Sequence, residues 1–185
     1  MTDQPTALPA DIVARLRAGD ERALEIVFRA YYSALASFAF RYLRDAAAAE
    51  DVVQDTFAAL WTSRDRITVS TSVRAYLYGA VRNRSLNVRK HDAVVEEWER
   101  DESSDDVRTL HAPPEQPDEH LARRLRSQEL SDAFETLPER QAQVMLLRWR
   151  DGLSYAEIAA ALDISVKGVE KHLARGLEAL RQRLR

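Results

Sequence analysis

The chain of 185 residues has no cysteine. This excludes disulfides and thiolate metal sites, and it fits a reducing compartment. Glycine and proline are scarce, five and six residues, too few for the many turns of an all-β fold. With alanine, leucine, arginine and glutamate abundant, the expectation is an all-α protein. No run of 18 apolar residues occurs, so no membrane insertion is expected. The start, MTDQPTALPAD, lacks the basic segment and apolar core of a secretory signal. A cytoplasmic location is therefore expected. The four histidines, His91, His111, His120 and His172, show no HExxH spacing, and no glycine-rich phosphate loop is present. Neither catalytic residues, nor a metal site, nor a cofactor is expected.

Acid is plentiful but confined. The net charge is −3, which taken alone argues against a nucleic-acid partner. Its distribution reverses that reading: residues 1–92 carry +2, residues 93–122 carry −8, and residues 123–185 carry +3. The middle segment, with SSDD and PPEQP and almost no large apolar residues, buries too little to offset chain entropy. It reads as a flexible acidic linker. A solvated spacer and a surface imitating nucleic acid are both open to it.

The flanks are patterned as helices. In DIVARLRAGDERALEIVFRAYYSALASFAFRYL, residues Ile12, Leu16, Leu24, Val27, Phe28, Tyr31, Leu35, Phe38 and Leu43 form an apolar stripe. The stripe breaks at Gly19, with Asp20 placed to cap the next helix. RDAAAAEDVVQDTFAALW is a further helix with Val52, Val53, Phe57, Leu60 and Trp61 on or near one face, and SVRAYLYGAVRNRSLNVRKH is a long basic one. Beyond the linker, LARRLRSQELSDAFETL ends at Pro138, and PERQAQVMLLRWRDG stops at Gly152. Ser154 and Glu157 form a capping box for a helix starting at Tyr155, and Ser165 caps the last one. Its stripe of Val169, Leu173, Leu177, Leu180 and Leu184 is expected to face the core. This gives a four-helix C-terminal unit.

Three stretches could carry function. In SYAEIAAALDISVKGVEKHL, Ile158, Ala159, Leu162, Ile164, Val169 and Leu173 have the spacing of two helices packed across a short turn. Such a helix-turn-helix offers its second helix to the major groove, with Lys167, Glu170, Lys171 and Arg175 pointing outward to phosphates and base edges. The plain alternative is a helical hairpin with a solvated face. In AEDVVQDTFAALW, the residues Glu50, Asp51, Gln54 and Asp55 sit beside Phe57, Leu60 and Trp61. This suits either an ordinary amphipathic core helix or one that docks another protein's helices. RAYLYGAVRNRSLNVRK interleaves Arg74, Arg82, Arg84, Arg89 and Lys90 with Tyr76, Tyr78 and Asn83. Cations neutralise phosphates and aromatic rings stack on unpaired bases, yet core tyrosines under a cationic face would look the same.

Taken in this order, the three stretches resemble bacterial RNA polymerase sigma factors of the extracytoplasmic-function (ECF) type, the reduced form of the sigma-70 family. The resemblance covers about residues 10–92 and 123–185. It implies two small helical domains: sigma region 2 over 10–92, and sigma region 4, the helix-turn-helix domain, over 123–185, joined by the acidic linker 93–122. It implies as partners core RNA polymerase and promoter DNA, with an anti-sigma factor as a further candidate. Asp51, Gln54, Asp55, Phe57 and Trp61 would lie in the helix that docks on the polymerase clamp. Tyr76, Arg82 and Asn83 would meet the −10 element, where a base is extruded from the stack. Lys167, Glu170, Lys171 and Arg175 would meet the −35 duplex. Gly168 departs from the family, which often has Thr there; a first-turn glycine costs up to about 1 kcal/mol. The helix-turn-helix also resembles that of LuxR-type regulators. A receiver domain would then be expected upstream, and residues 1–122 lack its alternating strands and helices.

Overall fold

The computed structural model describes residues 8–67, 72–99, 133–134 and 136–184, without the side chains of 92–99. Seven α-helices and no strand occur among them. In the N-terminal half, α1 (Ile12–Arg17) turns at Gly19, whose φ of +78° is open to glycine at little cost. The Asp20 carboxylate then caps α2 (Glu21–Leu43), accepting from the Arg22 N–H at 3.0 Å, while Arg15 at 2.8 Å holds its pKa below the ordinary value. Asp45 does the same for α3 (Ala46–Thr62), accepting from the Ala48 N–H at 2.9 Å.

Both N-caps follow from the same chemistry. A short carboxylate outside the first turn accepts a helix N–H that has no internal partner. A 3-10 turn at Arg64–Arg66 leads towards α4 (Val73–Glu99), whose N-cap Ser72 accepts from the Ala75 N–H at 3.0 Å. α2, α3 and α4 pack as a bundle around Val27, Leu35, Phe38, Val53, Leu60, Leu77 and Val81.

The expected stripe on α2 is buried at Val27, Tyr31, Leu35 and Phe38, and half-buried at Leu24 and Leu43. Phe28 departs from it at 38% exposure, because it lies one residue round the helix from Val27. Its ring packs on Tyr32 and Phe57 at centroid distances of 4.7 and 4.9 Å, forming an aromatic edge over the α2–α3 seam. α4 continues to Glu99, into the residues assigned from sequence to the start of the linker. The rest of that linker lies outside the described residues.

The C-terminal half contains α5 (Glu139–Trp149), α6 (Tyr155–Leu162) and α7 (Val166–Arg183). The preceding helix expected over LARRLRSQELSDAFETL lies almost wholly outside the described residues. The capping box at Ser154 and Glu157 is formed in both directions, and Ser165 accepts from the Gly168 N–H at 3.0 Å. The core stripe of α7 differs from the expectation. Val169, Leu173, Gly176 and Leu180 are buried, while Leu177 and Leu184 are exposed. At 100° per residue, either 176 or 177 can follow 173 inward. Gly176 wins because α5 crosses there: a Cβ at this position would overlap Met145 Sδ.

The two halves pack directly on each other, α4 against α6. Gly79 of α4 lies at this contact, facing the backbone of Ala161, where a Cβ would make an ordinary contact at 3.6 Å.

Candidate functional site

The helix-turn-helix is built by α6, a short turn and α7. Asp163 ends α6 in the left-handed region (φ +54°), and the Ile164 N–H returns to the Ala159 carbonyl at 3.0 Å. Ile158, Leu162, Val169 and Leu173 close the core between the two helices. This leaves Lys167, Glu170, Lys171 and Arg175 exposed along the outer face of α7. Lys167, Lys171 and Arg175 recur every four residues, so they form one cationic line beginning at the capped N-terminus. His172 is half-buried, and its Nδ1 has no partner among the described residues. Burial, then Arg140, Arg175 and Lys171, lower its pKa, so the neutral ring is favoured.

On α3, Asp51, Gln54 and Asp55 are exposed together, one turn apart, on the face turned away from the bundle. Trp61 is half-buried under the Arg64 guanidinium, 4.6 Å from its ring. Phe57 points inward at 5% exposure and packs on Phe28. It shapes this face from below.

On α4, the structure separates residues that the sequence left together. Tyr78 is buried at 1% exposure, and burial raises its phenol pKa far above the ordinary value. It belongs to the core, edge-on to Phe38 at 5.0 Å. Tyr76 is half-buried and Asn83 exposed. Arg82 donates to the Asn83 amide oxygen at 3.2 Å and lines a cavity of about 210 Å³ between the halves, with Tyr42, Leu86, Glu139, Arg140 and Gln143. Burial and the neighbouring Arg82 charge lower the Arg140 pKa.

A cluster that sequence reasoning missed joins the halves. Glu157 Oε1 accepts from the Ser72 hydroxyl at 2.7 Å and from Arg74 Nε at 3.2 Å. Its Oε2 accepts from an Arg74 terminal nitrogen at 2.6 Å and from the Ser154 N–H at 2.9 Å. Burial opposes the charge, but Arg74, the Ser154 amide and Ser72 outweigh it and hold the pKa at about 2. The capping box had revealed only the local half of this carboxylate's role. Its partners are 83 and 85 residues away in sequence.

This chain is similar to known proteins in both sequence and fold. The model of sigma-70 region 2 matches residues 27–93, and that of sigma-70 region 4 matches residues 127–180. RNA polymerase sigma factor YlaC of Bacillus subtilis is 26% identical over 162 residues, covering 88% of this chain and 92% of that protein. The ECF RNA polymerase sigma-E factor of Escherichia coli K12 is 29% identical over 181 residues, covering 91% and 90%. The solved structure of CnrH in complex with the cytosolic domain of CnrY aligns at TM-score 0.64 and 25% identity, over 94% of each chain. The sigma factor RpoE of Bartonella quintana, solved with the anti-sigma factor NepR, shares the fold at TM-score 0.64 and 21% identity, over 86% of this chain and 95% of that one.

The chain belongs to the sigma-70 family of RNA polymerase sigma factors, in its ECF group. It directs promoter-specific transcription with core RNA polymerase and promoter DNA as partners, and the LuxR-type reading falls away. Sigma factors are initiation factors and do not themselves catalyse the reaction. No helix among the described residues is long and apolar enough to cross a membrane.

Proposed function

We propose that this chain divides promoter recognition among three helix faces, within a region 2 domain over 10–92 and a region 4 domain over 123–185, linked by 93–122. The outer face of α3 docks on the polymerase clamp through Asp51, Gln54, Asp55 and Trp61, with Phe57 holding its shape. α4 receives the melted −10 strand: Tyr76 offers a stacking face, Asn83 a pairing edge and Arg82 a phosphate contact. α7 enters the −35 major groove with Lys167, Glu170, Lys171 and Arg175.

The observation that carries this reading is the exposed cationic line on α7, starting at a helix N-terminus and backed by a closed core. It combines a phosphate-directed dipole with side chains that reach base edges. No bond in the substrate is made or broken by this chain; it works by recruitment and by stabilising the opened strand, in the cytoplasm. An anti-sigma protein is a further partner, a proposal supported by CnrH having been solved with CnrY and RpoE with NepR. Co-purification with core polymerase, followed by sequencing of transcripts initiated in vitro, tests the whole reading. Asp55→Lys with Gln54→Ala is expected to lose the polymerase and leave the circular-dichroism spectrum unchanged. Unaltered co-purification at moderate salt would remove α3 from the docking surface.

A further inference from the structure

Buried donors without acceptors among the described residues gather at one place in the molecule. The cavity of about 210 Å³ is lined by Tyr42 of α2, Arg82 and Leu86 of α4, and Glu139, Arg140 and Gln143 of α5. Tyr42 is 5% exposed, yet its hydroxyl has no partner among the described residues, and neither has Arg82 Nε. Bare buried polar groups are costly, so their convergence on a cavity points to a ligand that satisfies them. Burial raises the Tyr42 pKa and keeps it a neutral donor, while Arg82, Arg41 and Arg140 press the other way. Arg140 donates from one terminal nitrogen to the Leu162 carbonyl at 2.7 Å and reaches Gln143 Oε1 only at 3.5 Å from the other.

The charge on these walls is positive. Burial and then Arg82 lower the Arg140 pKa, because two cations share this space. Glu139 is the one carboxylate among the lining residues. It accepts from Gln143 Nε2 at 2.9 Å, meets Arg89 at 3.6 Å, and is 65% exposed, so its charge is partly neutralised and well screened. α5 also begins here. Its N-cap, Pro138, brings no side-chain acceptor to the first turn, so the positive end of the helix dipole adds to the two guanidiniums.

We infer that this cavity is a binding site for a small phosphate, with the Arg82 and Arg140 guanidiniums and the Tyr42 hydroxyl donating to its oxygens. A dianion matches the charge better than a carboxylate, because two guanidiniums and a helix end face one screened acid. The volume sets the size. It exceeds the share of a few waters, at about 30 Å³ each, and falls below the roughly 300 Å³ at which drug-sized sites begin. Free phosphate, or a phosphate monoester with a short organic part, fits this space. The walls come from α2, α4 and α5, so the ligand touches both halves of the chain. The site does not depend on the strand-binding role proposed for Arg82.

Isothermal titration calorimetry of the full chain tests it, at about pH 8, where phosphate and its monoesters are dianions, with ionic strength held constant by sodium chloride. Inorganic phosphate and glycerol 3-phosphate are the probes, and dimethyl phosphate is the monoanionic comparison. The expected result is saturable one-to-one binding of a dianion and much weaker binding of the diester. Tyr42→Phe removes a hydroxyl that no described protein group uses, and affinity should fall about tenfold or more. Glu139→Gln keeps an acceptor for Gln143 and removes the opposing charge, so affinity should rise by up to about fivefold, a gain that misfolding cannot produce. Tighter binding of the free anion identifies inorganic phosphate as the ligand; tighter binding of glycerol 3-phosphate identifies an ester. No saturable binding of either dianion by the parent would overturn the site. Affinities unchanged in both variants would place the anion elsewhere and overturn it equally. Diester binding as tight as that of the dianions would overturn the assignment to a phosphate dianion.

Discussion

Gly176 and Gly168 lie on the same helix and should respond oppositely to a single added methyl. Replacing a helical glycine by alanine gains up to about 1 kcal/mol from backbone entropy and propensity. At Gly168 the new Cβ would meet the Ser165 Oγ at 3.4 Å and the Ile164 Cβ at 3.7 Å, ordinary contacts, so most of that gain is kept. At Gly176 the same atom overlaps Met145 Sδ and comes within 3.3 Å of Met145 Cγ. Met145 is 1% exposed, so its side chain can give way only within the core and not into solvent. Overpacking of a filled core costs about 1–3 kcal/mol. Gly176→Ala should therefore destabilise by up to about 2 kcal/mol net, and Gly168→Ala should stabilise by about 0.5–1 kcal/mol.

Urea and thermal unfolding of the full chain, followed by far-ultraviolet circular dichroism, measures both. A chain of this size shifts its midpoint by about 2–4 °C per kcal/mol. In a Met145→Ala background the penalty at Gly176 should vanish, and the double-mutant cycle isolates that contact. The displacement has a functional reading too. Pushing α7 off α5 moves Lys171 and Arg175, which lie just ahead of the contact on α7, so −35 affinity should fall with stability. If Gly176→Ala proved as stable as Gly168→Ala, the assignment of the α5–α7 crossing to this glycine would be wrong.

Three further outcomes are expected. Glu157 is held at about 2 against an ordinary 4.5, so its stabilisation is complete above pH 4.5 and lost as pH falls towards 2. The shift is worth about 3 kcal/mol; an acid titration of stability should show this loss, and Glu157→Gln should flatten it. Arg175→Ala should weaken all −35 duplexes alike and reduce the salt dependence by about one phosphate contact, whereas Lys171→Ala should change the preferred sequence by about 1–3 kcal/mol; a duplex library at two salt concentrations distinguishes them, and a uniform loss for Lys171→Ala would remove its base-reading role. Tyr76→Ala and Asn83→Ala should impair promoter melting more than initial duplex binding; normal permanganate reactivity in both would leave these side chains structural.

The helices, their caps and the turn of the helix-turn-helix were legible in the sequence because they are set by neighbours. An acceptor three residues ahead of an N–H, or an apolar side chain every third or fourth position, involves no distant partner. Asp20, Ser154 with Glu157, and Ser165 cap as their local chemistry requires, and the exposed line Lys167–Lys171–Arg175 follows from helical pitch alone. What faces what was decided only by tertiary packing. Tyr76 and Tyr78 read alike in sequence, yet Phe38 of α2 claims Tyr78 for the core. Leu177 lost the inward place to Gly176 because α5 passes too close for a side chain there. Phe57 was placed among docking residues, but its ring is directed under that face by Phe28. The carboxylate of Glu157 shows the division most plainly. Its bond to Ser154 spans three residues and could be read from a four-letter pattern. Its bonds to Ser72 and Arg74 exist only because α4 and α6 pack side by side from adjoining N-termini, a contact that no local periodicity encodes.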